Sequence, residues 1–192
     1  MSKSIKGTRT EQNLLKSFAG ESQARNRYTY FAAIARKEGY VQISHIFEET
    51  ADHEKEHAKR MFKFLEGGEV EITATYPAGK LGTTLECLKA AADGEHEEFV
   101  SLYPEFARIA DEEGLPDVAE MYRSICVAEE YHEERYRALI KNIETGHVFR
   151  KDSEIVWRCR NCGYNHKGSE APVQCPACVH PQAHFEVKAT NW

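Results

Sequence analysis

Two Glu-x-x-His motifs, Glu54-x-x-His57 and Glu129-x-x-His132, stand 75 positions apart in this chain of 192 residues. Each follows a segment that carries one further glutamate in register with apolar residues: Glu21 ahead of the first motif, Glu95 ahead of the second. Glu and His three residues apart lie on one face of a helix. Four carboxylates and two imidazoles drawn from four helices are what a bundle needs to hold a pair of metal ions in its interior. Carboxylate oxygen with one imidazole per ion suits iron or manganese. A lone Glu-x-x-His is weak evidence, and most of the 31 acidic residues belong to solvated helix faces. Glu21, Glu54, Glu95 and Glu129 instead fall on apolar stripes, at heptad spacing from Leu, Phe and Ile. Unpaired carboxylates there would be strongly disfavoured, and a dinuclear cation supplies the missing charge.

A second cluster lies at the C-terminus. Cys159-x-x-Cys162 and Cys175-x-x-Cys178 form two knuckles separated by 12 residues, a tetrahedral four-thiolate pattern. Spacing does not separate zinc from iron, and a structural zinc ribbon is the plain alternative. Beside an oxidative di-metal site an electron-delivering iron has an evident use. The other two cysteines, Cys87 and Cys126, fall in helical segments and read as buried core residues.

Three more side chains stand near the carboxylates. Glu98, three residues after Glu95, makes a fifth carboxylate and suggests ligand exchange between oxidation states. Tyr28, seven after Glu21, and Tyr103, eight after Glu95, are placed to hydrogen-bond ligating carboxylates, or simply to pack.

These side chains are positioned by helices over about Thr10–Lys37, Val41–Leu65, Thr83–Glu113 and Pro116–Glu144, the third kinked at Pro104. Tight turns at Gly39 and Gly114 join the helices into two antiparallel pairs, and residues 67–82 form one long crossover. The expected fold is mainly α, a ferritin-like four-helix bundle. Residues 1–146 form the bundle, 147–156 a polar linker, and 157–192 a small metal-knuckle β domain too short to fold without its metal. The two halves of the bundle repeat: Phe31–Gly39 matches Phe106–Gly114 at an offset of 75, as do both Glu-x-x-His motifs. Glu21 and Glu95 are only 74 apart, so one helix must carry an extra residue between Glu and Phe. A π-bulge, or the Pro104 kink, would absorb it.

Composition narrows the partners. A formal charge of −6 without a basic patch argues against nucleic acid. The absence of an apolar leader or an 18-residue apolar run argues against a membrane and for the cytoplasm. No Gly-x-Gly-x-x-Gly follows a strand, so nicotinamide should not bind this chain itself.

Gly20-Glu21 through Tyr28, Glu54-x-x-His57, Gly94-Glu95 with Glu98, Glu129-x-x-His132 and the Cys-x-x-Cys-Gly-Tyr and Cys-Pro-x-Cys knuckles together resemble the rubrerythrin family over essentially the whole chain. The resemblance implies three irons per chain: a non-haem di-iron centre in the bundle and an Fe(Cys)4 centre in a rubredoxin-like tail. It implies that Glu54 and Glu129 bridge, that Glu21 is terminal on one iron, and that Glu95 and His132 are terminal on the other. The first iron would exchange Glu98 for His57 on reduction, and Cys159, Cys162, Cys175 and Cys178 would hold the mononuclear iron. The activity implied is reduction of hydrogen peroxide to water, protective against oxidative stress. Electrons would come from rubredoxin or an NAD(P)H-dependent reductase, and the protein would be a homodimer or larger. A ferritin-type iron-oxidising store, or a redox sensor with a zinc ribbon, are the alternatives.

Overall fold

The computed structural model describes residues 3–191; Met1, Ser2 and Trp192, which the domain limits above include, lie outside them. Helix α1 (Arg9–Lys37) starts where Thr8 caps it, its side chain accepting from the Glu11 amide. Gly39, at φ 87°, turns the chain directly into α2 (Val41–Phe62). No regular element is present between Lys63 and Thr83. A capping box of Thr83 and Glu86 then opens α3 (Thr84–Glu97). The long third helix expected from the sequence is in fact interrupted. After α3 comes a π-helical turn, Glu98–Leu102, and then α4 (Tyr103–Glu112). Gly114, at φ 69°, and Pro116 lead into α5 (Pro116–Glu144).

The π turn holds the extra residue that the 74-against-75 offset requires, and it lies between Glu95 and Phe106 as that offset demands. Pro104 sits in the first turn of α4, just past the π turn, so its missing N–H falls where the backbone bonding is already rearranged. The second helix ends three residues earlier than the apolar stripe suggests, because Phe64 and Leu65 stay half-buried against the core without continuing the helix.

α1 packs along α2, and α3 and α4 along α5, giving two antiparallel pairs joined by the long crossover. The bundle interior is two apolar clusters. One is built around Tyr28, Phe47, Leu88 and Tyr136, the other around Leu14, Met61, Tyr103 and Tyr122. Among the described residues no helix is long and apolar enough to cross a membrane.

The tail is a three-stranded antiparallel sheet in the order β2-β1-β3, from β1 (Arg150–Cys159), β2 (Asn165–Glu170) and β3 (Phe185–Val187). Strand β1 begins inside the stretch read from sequence as a linker. Residues 150–156 carry no clear alternation because this half of the strand is mostly exposed, with Ile155 the one apolar side chain packed on the tail core, and the pairing itself slips between Arg150 and Ile155. Trp157, Cys159, Ala171, Cys175 and Phe185 form its small core. Tyr40 stacks on Phe149 at 6.3 Å, and Ala183 approaches Gly39, so the tail rests on the α1–α2 turn.

Candidate metal centres

Glu21 of α1, Glu54 of α2, Glu95 of α3 and Glu129 of α5 are all fully buried, between the two apolar clusters. Their donor atoms and those of two histidines form two overlapping groups: Glu21, Glu54, His57 and Glu129, and Glu54, Glu95, Glu129 and His132. Within each group all donor atoms lie within 4.8 Å of one another, and Glu54 and Glu129 belong to both.

Each ring nitrogen faces several carboxylates at once. His57 Nδ1 is 2.9 Å from Glu129, 3.2 Å from Glu54 and 3.8 Å from Glu21. His132 Nδ1 is 2.8 Å from Glu129, 3.4 Å from Glu54 and 3.6 Å from Glu95. One N–H cannot serve three acceptors. Glu21 Oε2, Glu54 Oε1, Glu95 Oε2, both oxygens of Glu129 and His132 Nδ1 accordingly have no hydrogen-bond partner, although all are buried. Buried polar atoms are normally satisfied. Six that converge without partners fit a pair of cations, and the oxygen-rich donor set fits iron.

Protonation reflects the crowding. Burial, followed by the charges of Glu129, Glu95 and Glu21, pushes the Glu54 carboxyl well up. Burial lifts Glu95 to about 7. Burial would raise Glu129 too, but the imidazoles of His132 and His57, close against it, hold it at about 2. His132 resists the effect of burial and is raised to about 9 by Glu129 and Glu95.

The tyrosines lace the two halves together. Tyr28 donates to Glu95 Oε1 at 2.5 Å, and Tyr103 donates to Glu21 Oε1. Each tyrosine therefore holds the glutamate of the opposite half, which spacing along one helix cannot reveal. Glu98 is the one sequence candidate not gathered into either donor group. It sits half-buried on the π turn, and burial followed by the charges of Glu21, Glu95 and Glu129 raises its carboxyl well above the ordinary value. Sequence reasoning missed His53, whose Nδ1 lies 3.0 Å from His132 Nε2 with the rings stacked at 5.2 Å. If Nδ1 of His132 serves a metal, its Nε2–H donates to His53 and the ring orientation is fixed. His53 directly precedes a ligand candidate and lies off the apolar stripe, so periodicity gave no signal for it.

In the tail the four thiols come together. Cys159 Sγ lies 3.8 Å from Cys178 Sγ, and Cys162 Sγ 3.7 Å from Cys175 Sγ. A tetrahedron with metal–sulfur bonds of about 2.3 Å has edges of roughly 3.8 Å. Both knuckles use the same backbone closure, Gly163 N to Cys159 O and Val179 N to Cys175 O. The residue after each second cysteine has positive φ, 79° at Gly163 and 61° at Val179. A β-branched residue rarely adopts this conformation, so at Val179 the knuckle imposes it. The backbone N–H of His180 holds the Cys178 thiol down to about 6.

A ferritin-like bundle with a carboxylate–histidine di-iron site, followed by a rubredoxin-like four-cysteine tail, defines a class of non-haem iron proteins. The rubrerythrin family model matches residues 12–140, and the rubrerythrin rubredoxin-like domain model matches residues 157–186. The chain belongs to the rubrerythrin family. It is 58% identical to rubrerythrin of Nitratidesulfovibrio vulgaris over 99% of this chain and 100% of that one. It is 60% identical to rubrerythrin of Clostridium perfringens over 96% of this chain and 97% of that one. Among solved structures it is similar to nigerythrin in a partially reduced state, with a TM-score of 0.63, 34% identity, and coverage of 97% and 90% of the two chains.

Proposed function

We propose that the protein is a peroxide reductase that converts hydrogen peroxide to water at a di-iron centre and so protects against oxidative stress. The observation that carries this reading is Glu98, a carboxylate on the π turn near enough to Glu21, Glu95 and Glu129 for their charges to raise it. Six donors already suffice for two ions, yet a seventh side chain stands beside them on the π turn. His57 is also the more accessible imidazole, 15% exposed against 2% for His132. A static site needs no spare carboxylate, whereas a site that changes oxidation state gains from a ligand that can replace a neutral imidazole with an anion.

Bound iron supplies the two reducing equivalents and a Lewis-acid centre for O–O cleavage. Glu54 and Glu129, common to both donor groups, hold the two positions together. Glu21 and His57 complete one position, and Glu95 and His132 the other. Glu98 would supply the anionic ligand able to exchange with His57 at the first position. Tyr28 and Tyr103 fix the orientations of Glu95 and Glu21, and the apolar clusters on either side exclude bulk water. Cys159, Cys162, Cys175 and Cys178 would hold an iron that supplies one-electron transfer back to the bundle site. The electrons are drawn from rubredoxin or an NAD(P)H-dependent reductase in the cytoplasm, by a homodimer or larger assembly.

The test is stopped-flow mixing of the fully reduced, iron-loaded protein with hydrogen peroxide or with O2. Oxidation by peroxide faster than by O2 is expected; the reverse order would count against a peroxidase. Zinc in the cysteine site of protein taken from its native host would remove the electron relay.

A further inference from the structure

A cavity of about 700 Å³ opens between α1, the crossover and the π turn. Glu98 and Tyr103 belong to its wall and link it to the carboxylate cluster, Tyr103 by donating to Glu21 and Glu98 by its closeness to Glu21, Glu95 and Glu129. Its outer side is the crossover at Thr73–Pro77, held to the bundle by the Arg27 guanidinium, which donates to the Pro77 carbonyl at 3.2 Å. Two of its wall residues are glycines inside helices, Gly20 in α1 and Gly94 in α3. Each immediately precedes a carboxylate of the site, Glu21 or Glu95.

Glycine in a helix interior is destabilising relative to alanine. Here no close packing demands it. A Cβ at Gly20 would meet nothing within 4 Å, and one at Gly94 would meet only Arg27 Nη2, at 3.7 Å. Both backbones have ordinary helical φ. The space that a methyl group would take is cavity. Hydrogen peroxide needs little of it, since a water molecule claims only about 30 Å³. The volume instead falls in the range of about 300–1,000 Å³ typical of small-molecule sites. Leu102, Phe106 and Tyr76 give it apolar surface.

We propose that this cavity receives the organic group of an alkyl or aryl hydroperoxide, with Gly20 and Gly94 setting its width. The inference rests on the peroxide-reductase reading and names a substrate class for it. The O–O bond of ROOH would break past Glu98 and Tyr103, at the carboxylate cluster. A pair of ferrous ions held there would supply the two electrons, and two protons from solvent would complete ROH and H2O.

The test uses the full-length, iron-loaded protein and its Gly20→Ala/Gly94→Ala variant, with cumene hydroperoxide and hydrogen peroxide as substrates. The ratio of kcat/KM for cumene hydroperoxide to that for hydrogen peroxide is expected to fall about tenfold or more in the variant. Isothermal titration calorimetry with cumyl alcohol, the redox-inert product, is expected to show binding to the parent protein and its loss in the variant. The thermal transition of the variant should rise by a few degrees, because both substitutions favour the helix. An unchanged ratio, no binding of cumyl alcohol to the parent, or a lower transition in the variant would overturn the proposal. If the parent reduces hydrogen peroxide but not cumene hydroperoxide, the cavity assignment alone fails; if it reduces neither, the peroxide-reductase reading fails with it.

Discussion

Removing the metals should cost this bundle much of its stability. Six buried donor atoms lack partners: Glu21 Oε2, Glu54 Oε1, Glu95 Oε2, both Glu129 oxygens and His132 Nδ1. At about 1–3 kcal/mol for each unsatisfied buried group, the arrangement without cations carries a cost on the order of 10 kcal/mol. That equals the whole stability of an ordinary domain, about 5–15 kcal/mol. Protonation and relaxation recover part of it. If half is recovered, the transition falls by roughly 10–20 °C for a chain of this size. The sign of the pH dependence follows from the shifts. Burial raises Glu54, and raises Glu95 to about 7 from the ordinary 4.5, while Glu129 and Glu95 overcome burial to raise His132 to about 9 from 6.5. Groups raised on folding stabilise fully below their unfolded values, and that stability is lost as pH rises through the folded values. The metal-free bundle should therefore weaken between about pH 4.5 and 9, while the loaded protein loses metal on the acid side. The assay is thermal melting followed by far-ultraviolet circular dichroism, with and without chelator, at about pH 5 and about pH 8. A metal-free transition within about 3 °C of the loaded one at pH 8 would refute the reasoning.

Substituting Cys178→Ser should reduce bound metal by one equivalent and unfold the tail, since the sheet's core contains two of the four cysteines. Amide spectra should show tail resonances collapsing while the helices persist, and a tail that keeps its dispersion would contradict this. Glu113 ties the end of α4 to the start of α1. Burial opposes its charge, but hydrogen bonds from Thr10 Oγ1 at 2.7 Å, Thr10 N at 2.9 Å and Arg9 N at 3.1 Å hold it at about 2. Glu113→Gln should lower stability at neutral pH by about 2 kcal/mol after allowing for partial exposure. A group depressed on folding stabilises above its unfolded value, so the gap between parent and variant should close as pH falls from about 4.5 to about 2. Urea titrations across that range test it.

The sequence made the bundle legible because a carboxylate at a core position contradicts its neighbours. Glu21, Glu54, Glu95 and Glu129 each interrupt a run of Leu, Phe or Ile, and no solvated-face reading accommodates them. The cysteine knuckles were legible for a related reason, their spacing being local. The π turn could be inferred from counting alone, since the two halves differ by one residue, but counting did not say whether a bulge or the Pro104 kink absorbed it. What escaped depends on contacts across helices. The crossed hydrogen bonds of Tyr28 and Tyr103, and the stacking of His53 on His132, join residues 67 to 82 positions apart and leave no periodic trace. Residues 150–156 read as a linker because a mostly exposed half-strand has the composition of one.

The π turn has a consequence for the symmetry of the site. In a strict duplication both ends of the metal pair would meet identical surroundings, and any spare carboxylate would come twice. One inserted residue between Glu95 and Tyr103 breaks that equivalence without displacing a ligand candidate. In the register that aligns Glu21 with Glu95, the counterpart of Glu98 is Ala24, which is buried and carries no donor. A doubled plan thereby acquires a polarity, a spare carboxylate at one end and none at the other, from one residue that leaves both Glu-x-x-His motifs and both flanking repeats in register.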